Sequence, residues 1–286
     1  MTQPTLSRRT KVIGSLATLA GLASLPLGML WHNQDAMIFP QRHESTPVTA
    51  QGAWKVADLD LKGIGRIQFL FGDPGQVASE AEPGPVILFL HGNGSSAGMS
   101  AMVCDDFRAT GCPVVVAEYP GYSGNPGQPS EAALQKAASA TAVWARSRWP
   151  GRKLCVMGES IGTAPAVFLA VQGVADLLVL DSPFTSMGAT ISALMPWLPF
   201  VDLLNRHPMD SIGRLRGAAG MRLPPSLVLV SAADPIVPIW MGQEIANALP
   251  GCQIHRSPMP GHPVLALDKQ ARIATRAFIA AVMAKG

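Results

Sequence analysis

One stretch decides the fold of this chain: Lys153-Leu-Cys-Val-Met-Gly-Glu-Ser-Ile-Gly-Thr-Ala-Pro-Ala-Val167. Its apolar residues 154–157 have the character of a buried strand, and an apolar pattern at helical spacing begins at Ala164. The segment between them, Gly158-Glu-Ser-Ile-Gly162, must turn the chain sharply from strand to helix. Ser160 stands at the apex of that turn.

The spacing of the two glycines has a steric reason. A serine at such an apex takes a strained backbone conformation with its hydroxyl above the sheet edge, so the residues two before and two after it must lack bulk. Gly158 and Gly162 meet that requirement. The pattern alone is weak in a chain with 28 glycines, but the strand before it and the helix after it strengthen it.

Other strand and helix signals alternate along the chain. Short apolar runs are typical of parallel strands covered on both faces, and they occur at residues 86–90, 114–117, 177–180 and 226–230. We also expect an antiparallel pair at 54–60 and 65–71, a last strand at 252–255, and helices at 133–149, 241–249 and 271–283. The sequence therefore predicts an α/β fold with a mostly parallel central sheet flanked by helices.

Composition fits one globular domain and excludes some classes of function. The 286 residues are 48% hydrophobic and only 14% charged, which suits a sizeable core and argues against disorder. A net charge of +3 gives no reason to expect nucleic-acid binding. No C-x-x-C pair or histidine cluster indicates a metal site, and we expect no cofactor.

The N-terminal segment has the features of a membrane anchor. Residues 12–30 form a charge-free, mildly apolar run long enough to span a bilayer, and Arg8, Arg9 and Lys11 precede it. Positive charges before the run predict a domain on the extracytoplasmic side, periplasmic in a bacterium. The alternatives are a twin-arginine export signal, cut near residues 21–23, and a buried helix of the fold.

The predicted organisation is a signal or anchor segment at residues 1–33 and a domain at 34–286. Within the domain, residues 187–225 are too long for an ordinary connection. We interpret them as a short lid whose apolar residues suit an acyl chain. Cys104 and Cys112 could form a disulfide across a short loop, whereas Cys155 is expected to be a buried thiol.

Three residues with complementary chemistry follow predicted strands in the order Ser160, Asp234 and His262. Serine is a poor nucleophile at neutral pH until a histidine, oriented by a carboxylate, accepts its proton. An aspartate in a turn is most often a cap and a lone histidine is most often structural, so the hypothesis depends on their joint placement. Asp181, at the end of the preceding strand, is a rival for the carboxylate.

The loop His91-Gly-Asn-Gly94 follows the predicted strand at 86–90. Small residues there let backbone N–H groups turn inward to hold a negative oxygen. The same loop could simply cap a helix, and both interpretations stay open. We expect His91 to order the loop and not to take part in the chemistry.

These motifs together resemble the α/β-hydrolase superfamily, and within it the membrane-anchored branch called Bem46-like or α/β-hydrolase-domain-containing. The resemblance covers nearly all of the chain beyond residue 33. The matching segments are Gln34-Asp-Ala-Met-Ile-Phe-Pro40, His91-Gly-Asn-Gly94, Tyr119-Pro-Gly-Tyr-Ser-Gly124, Gly158-Glu-Ser-Ile-Gly162, Asp181-Ser-Pro-Phe-Thr-Ser186, Asp234-Pro-Ile-Val-Pro238 and Gly261-His262.

The resemblance implies a role for each site residue. Ser160 would be the nucleophile, His262 the general base and acid, and Asp234 the orienting carboxylate. The backbone N–H groups of Asn93 and Ile161 would form the oxyanion hole. The chain departs from the branch at Pro263, where asparagine is frequent, and at Ala232 or Ala233, where a glycine is usual near the acid.

The function expected from the sequence is a serine hydrolase that cleaves small-molecule or lipid esters or thioesters through a covalent acyl-enzyme. One alternative is a peptidase or aminopeptidase of the same fold, although residues 187–225 form a small and basic insert where such enzymes carry a larger, acidic cap. The other is a non-catalytic binding protein, which would usually have lost the serine or the histidine.

Overall fold

The computed structural model describes residues 28–40, 46–75 and 83–285. Contacts divide the chain into two units, Met1–Ile38 and Phe39–Gly286. In the described part of the first unit, residues 28–38 are helical (α1). The twin arginine, the cleavage site and nearly all of the predicted anchor lie outside the described residues. Among the described helices, none combines the length and apolar character needed to cross a bilayer.

The second unit alternates strands and helices as the sequence predicts. The strands are β1 Trp54–Leu61, β2 Gly65–Gly72, β3 Val86–Leu90, β4 Val114–Ala117, β5 Leu154–Glu159, β6 Leu177–Asp181, β7 Ser226–Ser231 and β8 Gln253–Ser257. The helices are α2 Ala97–Arg108, α3 Glu131–Arg148, α4 Thr163–Val171, α5 Met187–Leu194, α6 Val201–Leu204, α7 Ser211–Gly217, α8 Ile239–Ala248, α9 Val264–Leu267 and α10 Lys269–Met283.

The strands form one sheet in the order β1-β2-β4-β3-β5-β6-β7-β8. Strands β1 and β2 pair antiparallel and β2 pairs antiparallel with β4, whereas all pairs from β4 to β8 are parallel. This arrangement confirms the predicted fold class. Because six parallel strands end at the same edge, the loops that follow them gather there.

Alternation of side chains along the strands builds a core on each face of the sheet. In β5, Leu154 and Val156 pack with α3, α4 and α8, whereas Cys155 and Met157 face α2 and α10. Burial on both faces explains why the central strands are continuous apolar runs.

Helix α3 begins at a serine cap, Ser130. Ser130 Oγ accepts a hydrogen bond from the backbone N–H of Ala133 at 3.1 Å, which satisfies one of the free donors of the first turn. The helix itself starts at Glu131, two residues before the predicted start.

The suggested disulfide is wrong, because Cys104 and Cys112 are both free and buried thiols. Cys104 packs against the sheet from within α2. The Cys112 sulfur instead lies beside Thr110 Oγ1 at 3.9 Å and close to Gly84. Cys155 is a buried thiol, as predicted.

The insert at residues 187–225 has two different parts. Helix α7 belongs to the helical layer, since Leu215 is in the core and Arg214 stacks 5.6 Å from the centre of the Phe168 ring in α4. Residues 194–204 instead expose large apolar side chains. Leu194, Trp197, Phe200 and Leu203 are 51%, 70%, 70% and 84% exposed.

Candidate active site

Ser160 occupies a strained turn between β5 and α4. Its φ is +50°, in the left-handed region that residues other than glycine seldom adopt. Strand β5 ends at Glu159, residues Ser160–Gly162 form one 3₁₀ turn, and the Thr163 hydroxyl donates to the Ser160 carbonyl oxygen at 2.6 Å. Such strain persists only where the surrounding structure holds it, and it is frequent at functional sites.

The two glycines of the turn are required by close backbone contacts. A Cβ at Gly158 would lie 2.5 Å from the carbonyl oxygen of Gly162. A Cβ at Gly162 would overlap the carbonyl oxygen of Leu90, the last residue of β3. Both positions therefore require glycine, as the sequence predicts, and the turn packs directly against the end of the neighbouring strand.

His262 and Asp234 form a hydrogen-bonded pair with little exposure to solvent. His262 Nδ1 lies 2.7 Å from Asp234 Oδ2, and the two side chains are 8% and 2% exposed. Asp234 Oδ1 accepts from the backbone N–H groups of Ile236 and Val237 at 2.8 and 2.9 Å. The carboxylate is therefore held from both sides, and the imidazole is oriented by it.

The electrostatics of this pair favour an imidazolium beside a carboxylate. Burial lowers the pKa of His262, but the hydrogen bond and the charge of Asp234 outweigh it and raise the pKa above its usual value. For Asp234, burial raises the pKa, but the hydrogen bonds from His262 and Val237 outweigh burial and lower the pKa below its usual value.

The loops that carry Asp234 and His262 are also joined through their backbones. The Gly261 N–H donates to the Ala233 carbonyl oxygen at 3.1 Å.

Asp181, the rival acid, makes different contacts. Its oxygens accept from the backbone N–H groups of Val264 and Leu265 at 2.9 and 2.8 Å and from the Ser182 hydroxyl at 3.1 Å. Burial raises its pKa to about 6. The imidazole of His262 hydrogen-bonds Asp234 and not this carboxylate, so the geometry favours Asp234 as the orienting group.

The loop after β3 is held by a buried polar network. His91 is fully buried, and its Nε2 lies 2.7 Å from Glu118 Oε1. The Tyr119 hydroxyl donates to the His91 carbonyl oxygen at 2.9 Å, and the Tyr122 hydroxyl donates to Asn93 Oδ1 at 3.4 Å. His91 therefore orders the loop, as expected, and the same loop leads into α2, whose first turn Ser96 caps.

The predicted site residues all follow strands that end at the same edge of the sheet. The loop after β3 lies against the serine turn, because a Cβ at Gly92 would be 3.3 Å from Ser160 Cβ. Ile161 is buried and Asn93 is exposed. Within the described residues, the structure joins His262 to Asp234 by a hydrogen bond and makes none between Ser160 Oγ and His262. The hydrogen bond between a nucleophile and its base often tightens only when the substrate binds.

Sequence reasoning missed Glu159 and the Glu118 network. Glu159 is almost fully buried, and burial together with the charge of Asp181 raises its pKa to about 7. The available signal was a glutamate at the carboxyl end of an otherwise apolar strand: Glu118 directly follows β4, and Glu159 is the last residue of β5. In the described part of the chain, no group of three or more histidine, cysteine, aspartate or glutamate side chains could hold a metal ion.

A mostly parallel sheet of eight strands with a strained serine turn at its carboxyl edge defines an α/β-hydrolase. The uncharacterized protein Rv2307c of Mycobacterium tuberculosis is 31% identical over 248 residues, which are 84% of each chain. The chain belongs to the same family, within the α/β-hydrolase superfamily. No family model matches it.

Other relatives and solved structures agree with this assignment. Lysophosphatidylserine lipase ABHD12 of Rattus norvegicus is 28% identical over 57% of this chain and 45% of its own length. The uncharacterized membrane protein YNL320W of Saccharomyces cerevisiae is 26% identical over 86% and 89%. The Pyrococcus furiosus esterase Pf2001 superimposes with a TM-score of 0.63 at 15% identity, over 82% of this chain and 98% of that one, a likeness of fold.

Proposed function

We propose that this chain is a serine hydrolase that cleaves carboxylic ester or thioester bonds through a covalent acyl-enzyme. The observation that carries the proposal is the strained Ser160 at the carboxyl edge of the sheet. The hydrogen-bonded pair of His262 and Asp234 follows strands that end at the same edge. Membership of the α/β-hydrolase superfamily supports the assignment.

In the first half of the proposed reaction, Ser160 Oγ attacks the carbonyl carbon of the ester while His262 Nε2 takes the hydroxyl proton. Asp234 stabilises the imidazolium that forms. The tetrahedral oxyanion accepts hydrogen bonds from the backbone N–H groups of Asn93 and Ile161. When the intermediate collapses, the bond to the leaving oxygen or sulfur breaks and His262 gives its proton to that atom.

The second half repeats these steps with water. His262 removes a proton from water, whose oxygen attacks the acyl carbon, and the same N–H groups hold the second oxyanion. The bond to Ser160 Oγ then breaks, the proton returns to the serine, and the carboxylic acid leaves. Neither half requires a metal or an organic cofactor.

We infer that the substrates are esters with a lipid or acyl chain. Residues 194–204 expose Leu194, Trp197, Phe200 and Leu203, an apolar surface that suits an alkyl chain better than a peptide. The relative ABHD12 is named a lysophosphatidylserine lipase, and Pf2001 is named an esterase. These names support ester cleavage by the present chain.

We also propose that residues 12–30 anchor the chain in a membrane with the domain on the extracytoplasmic side. The charge-free run and the preceding basic residues support this, and the yeast relative is named a membrane protein. Extraction of isolated membranes with alkaline carbonate tests the anchor, since an anchored chain stays in the pellet. Release into the supernatant as a shortened chain would favour a cleaved export signal.

Labelling with a fluorophosphonate probe tests the proposed chemistry. We expect the full chain, solubilised in detergent, to be modified at Ser160, and we expect Ser160→Ala and His262→Ala to abolish both labelling and ester turnover. Arg216→Ala changes an exposed side chain paired with Glu244 and should leave both intact. Screening p-nitrophenyl esters, acyl thioesters and peptide amides then separates esterase from peptidase. A folded protein that is never labelled would contradict the proposal and favour a binding protein.

A further inference from the structure

Two buried carboxylates stand side by side next to the serine turn. Glu159 is the last residue of β5 and Asp181 is the last residue of β6, and the two are register partners in the sheet. Register partners on adjacent strands point to the same side of the sheet, and neighbouring strands lie roughly 5 Å apart. Their exposed fractions are 8% and 0%. Carboxyl groups so buried destabilise the fold unless hydrogen bonds compensate them.

Glu159 receives such a hydrogen bond from the loop after β3. Its Oε1 accepts from the backbone N–H of Gly92 at 3.2 Å. The fit is tight, because a Cβ at Gly92 would lie 2.5 Å from the same oxygen. Gly92 immediately precedes Asn93, whose N–H is one of the two proposed oxyanion donors. The Glu159 carboxyl therefore holds the peptide that directly precedes the one carrying this donor.

Asp181 receives its hydrogen bonds from the loop on the other side of the site. The two backbone donors, Val264 and Leu265, come directly after His262 and Pro263. One carboxyl thus holds the loop of the proposed oxyanion donor, and its neighbour holds the loop of the proposed base.

We propose that Glu159 and Asp181 are positioning residues, which fix the oxyanion loop and the histidine loop respectively against the strand that presents Ser160. This inference rests on the proposed esterase function and deepens it. A displacement of about 1 Å in a reacting group can lower turnover by roughly a hundredfold, so two such anchors have a large effect on rate without touching substrate.

Burial makes the neutral form of Glu159 more accessible than it is in water. Burial and the charge of Asp181 raise the pKa of Glu159 to about 7, while His91, His262 and the Gly92 N–H oppose that rise. Glu159 is therefore more easily protonated near neutral pH than an exposed glutamate. Glutamine, which is neutral and keeps a carbonyl oxygen at the same place, is then a close mimic of it.

The decisive pair of variants is Glu159→Met and Glu159→Gln. Methionine has nearly the same length and suits a buried site but lacks the acceptor for Gly92 N–H, whereas glutamine keeps it. We expect Glu159→Met to lower kcat by about 10- to 100-fold with KM within about twofold of wild type. We expect Glu159→Gln to keep kcat within about threefold of wild type. Asp60→Ala, which removes an exposed carboxylate on β1, is the control and should leave kcat and KM unchanged.

Hydrogen exchange of the full-length protein provides a readout that does not need activity. Without the acceptor, we expect faster amide exchange in residues 91–94 in Glu159→Met and wild-type exchange in Glu159→Gln. Equal kcat in the wild type and Glu159→Met would overturn the inference. So would equal losses of kcat and melting temperature in the methionine and glutamine variants, which indicate a general structural role. A wild-type protein that is neither labelled by the probe nor active on esters would contradict the esterase proposal. Unchanged amide exchange of residues 91–94 in Glu159→Met would instead show that Glu159 does not anchor the loop.

Discussion

Two aspartates at the ends of neighbouring strands, Asp181 and Asp234, differ in what they hold. Asp234 contacts the His262 ring at 2.7 Å, whereas Asp181 accepts only from backbone and Ser182 donors. We expect Asp234→Asn to lower kcat by about 10³- to 10⁴-fold, since the amide no longer orients the imidazole or stabilises its charge. Asp181→Asn keeps one acceptor oxygen for the backbone donors, so we expect it to lower kcat by only about tenfold.

Steady-state kinetics on one p-nitrophenyl ester, with melting temperatures for both variants, test this ranking. The reverse order would show that Asp181 is the orienting acid.

The pH dependence of the reaction follows from His262. The base must be neutral, and its pKa in the folded chain is raised above the ordinary 6.5 by Asp234. We therefore expect kcat/KM to fall as the pH drops through a value above 6.5, and the inflection to move lower in Asp234→Asn. A pH–rate profile of both proteins measures it. The raised pKa of His262 affects the stability of the fold with the opposite pH dependence to kcat/KM. The stabilisation that the protonated histidine contributes is complete below pH 6.5 and is lost as the pH rises through the pKa of the folded chain.

At the scale of the element, the turn from β5 to α4 depends on Gly162. A Cβ there would overlap the Leu90 carbonyl, and backbone cannot move aside as a flexible side chain can. We expect Gly162→Ala to lower the free energy of unfolding by about 3 kcal/mol or more, or to prevent folding. Gly217→Ala, at the end of α7 with open space around it, should change stability by about 1 kcal/mol or less. Urea denaturation distinguishes the two, and equal effects would contradict the steric argument.

The exposed segment at residues 194–204 has its own prediction. If its apolar side chains contact the acyl chain, the double variant Trp197→Ala, Phe200→Ala should lower kcat/KM for long esters by about tenfold and leave short esters nearly unchanged. Esters from acetate to palmitate give the profile. Met221→Ala, another exposed apolar residue outside this segment, serves as the control. An unchanged chain-length profile would remove the segment from substrate binding.

At the scale of the whole molecule, stability comes from a sheet with a core on each face and from no disulfide. Cys104, Cys112, Cys155 and Cys252 are free thiols, three of them buried. We therefore expect the melting temperature to be the same with and without a reductant. Thiol counting in denaturant should find all four thiols reactive. A drop in melting temperature on reduction would show that a disulfide does form.

The sequence alone determined the fold, because the signals for it are local. Apolar runs identify strands covered on both faces, and Gly158 and Gly162 identify the serine turn through sterics within a few residues. The helix predicted at 133–149 is likewise found within two residues of its expected start, since the Ser130 cap acts within one turn of helix.

Only the tertiary structure decided the partners at the site. Asp234 and His262 are 28 residues apart, and Glu159 and Gly92 are 67 apart. The order of the strands and the course of the loops between them decide which carboxyl accepts from which donor. Local sequence patterns predict neither. The same reason explains why Cys104 and Cys112, close in sequence, do not bond, and why Leu215 of α7 is in the core while the large apolar side chains of residues 194–204 are exposed.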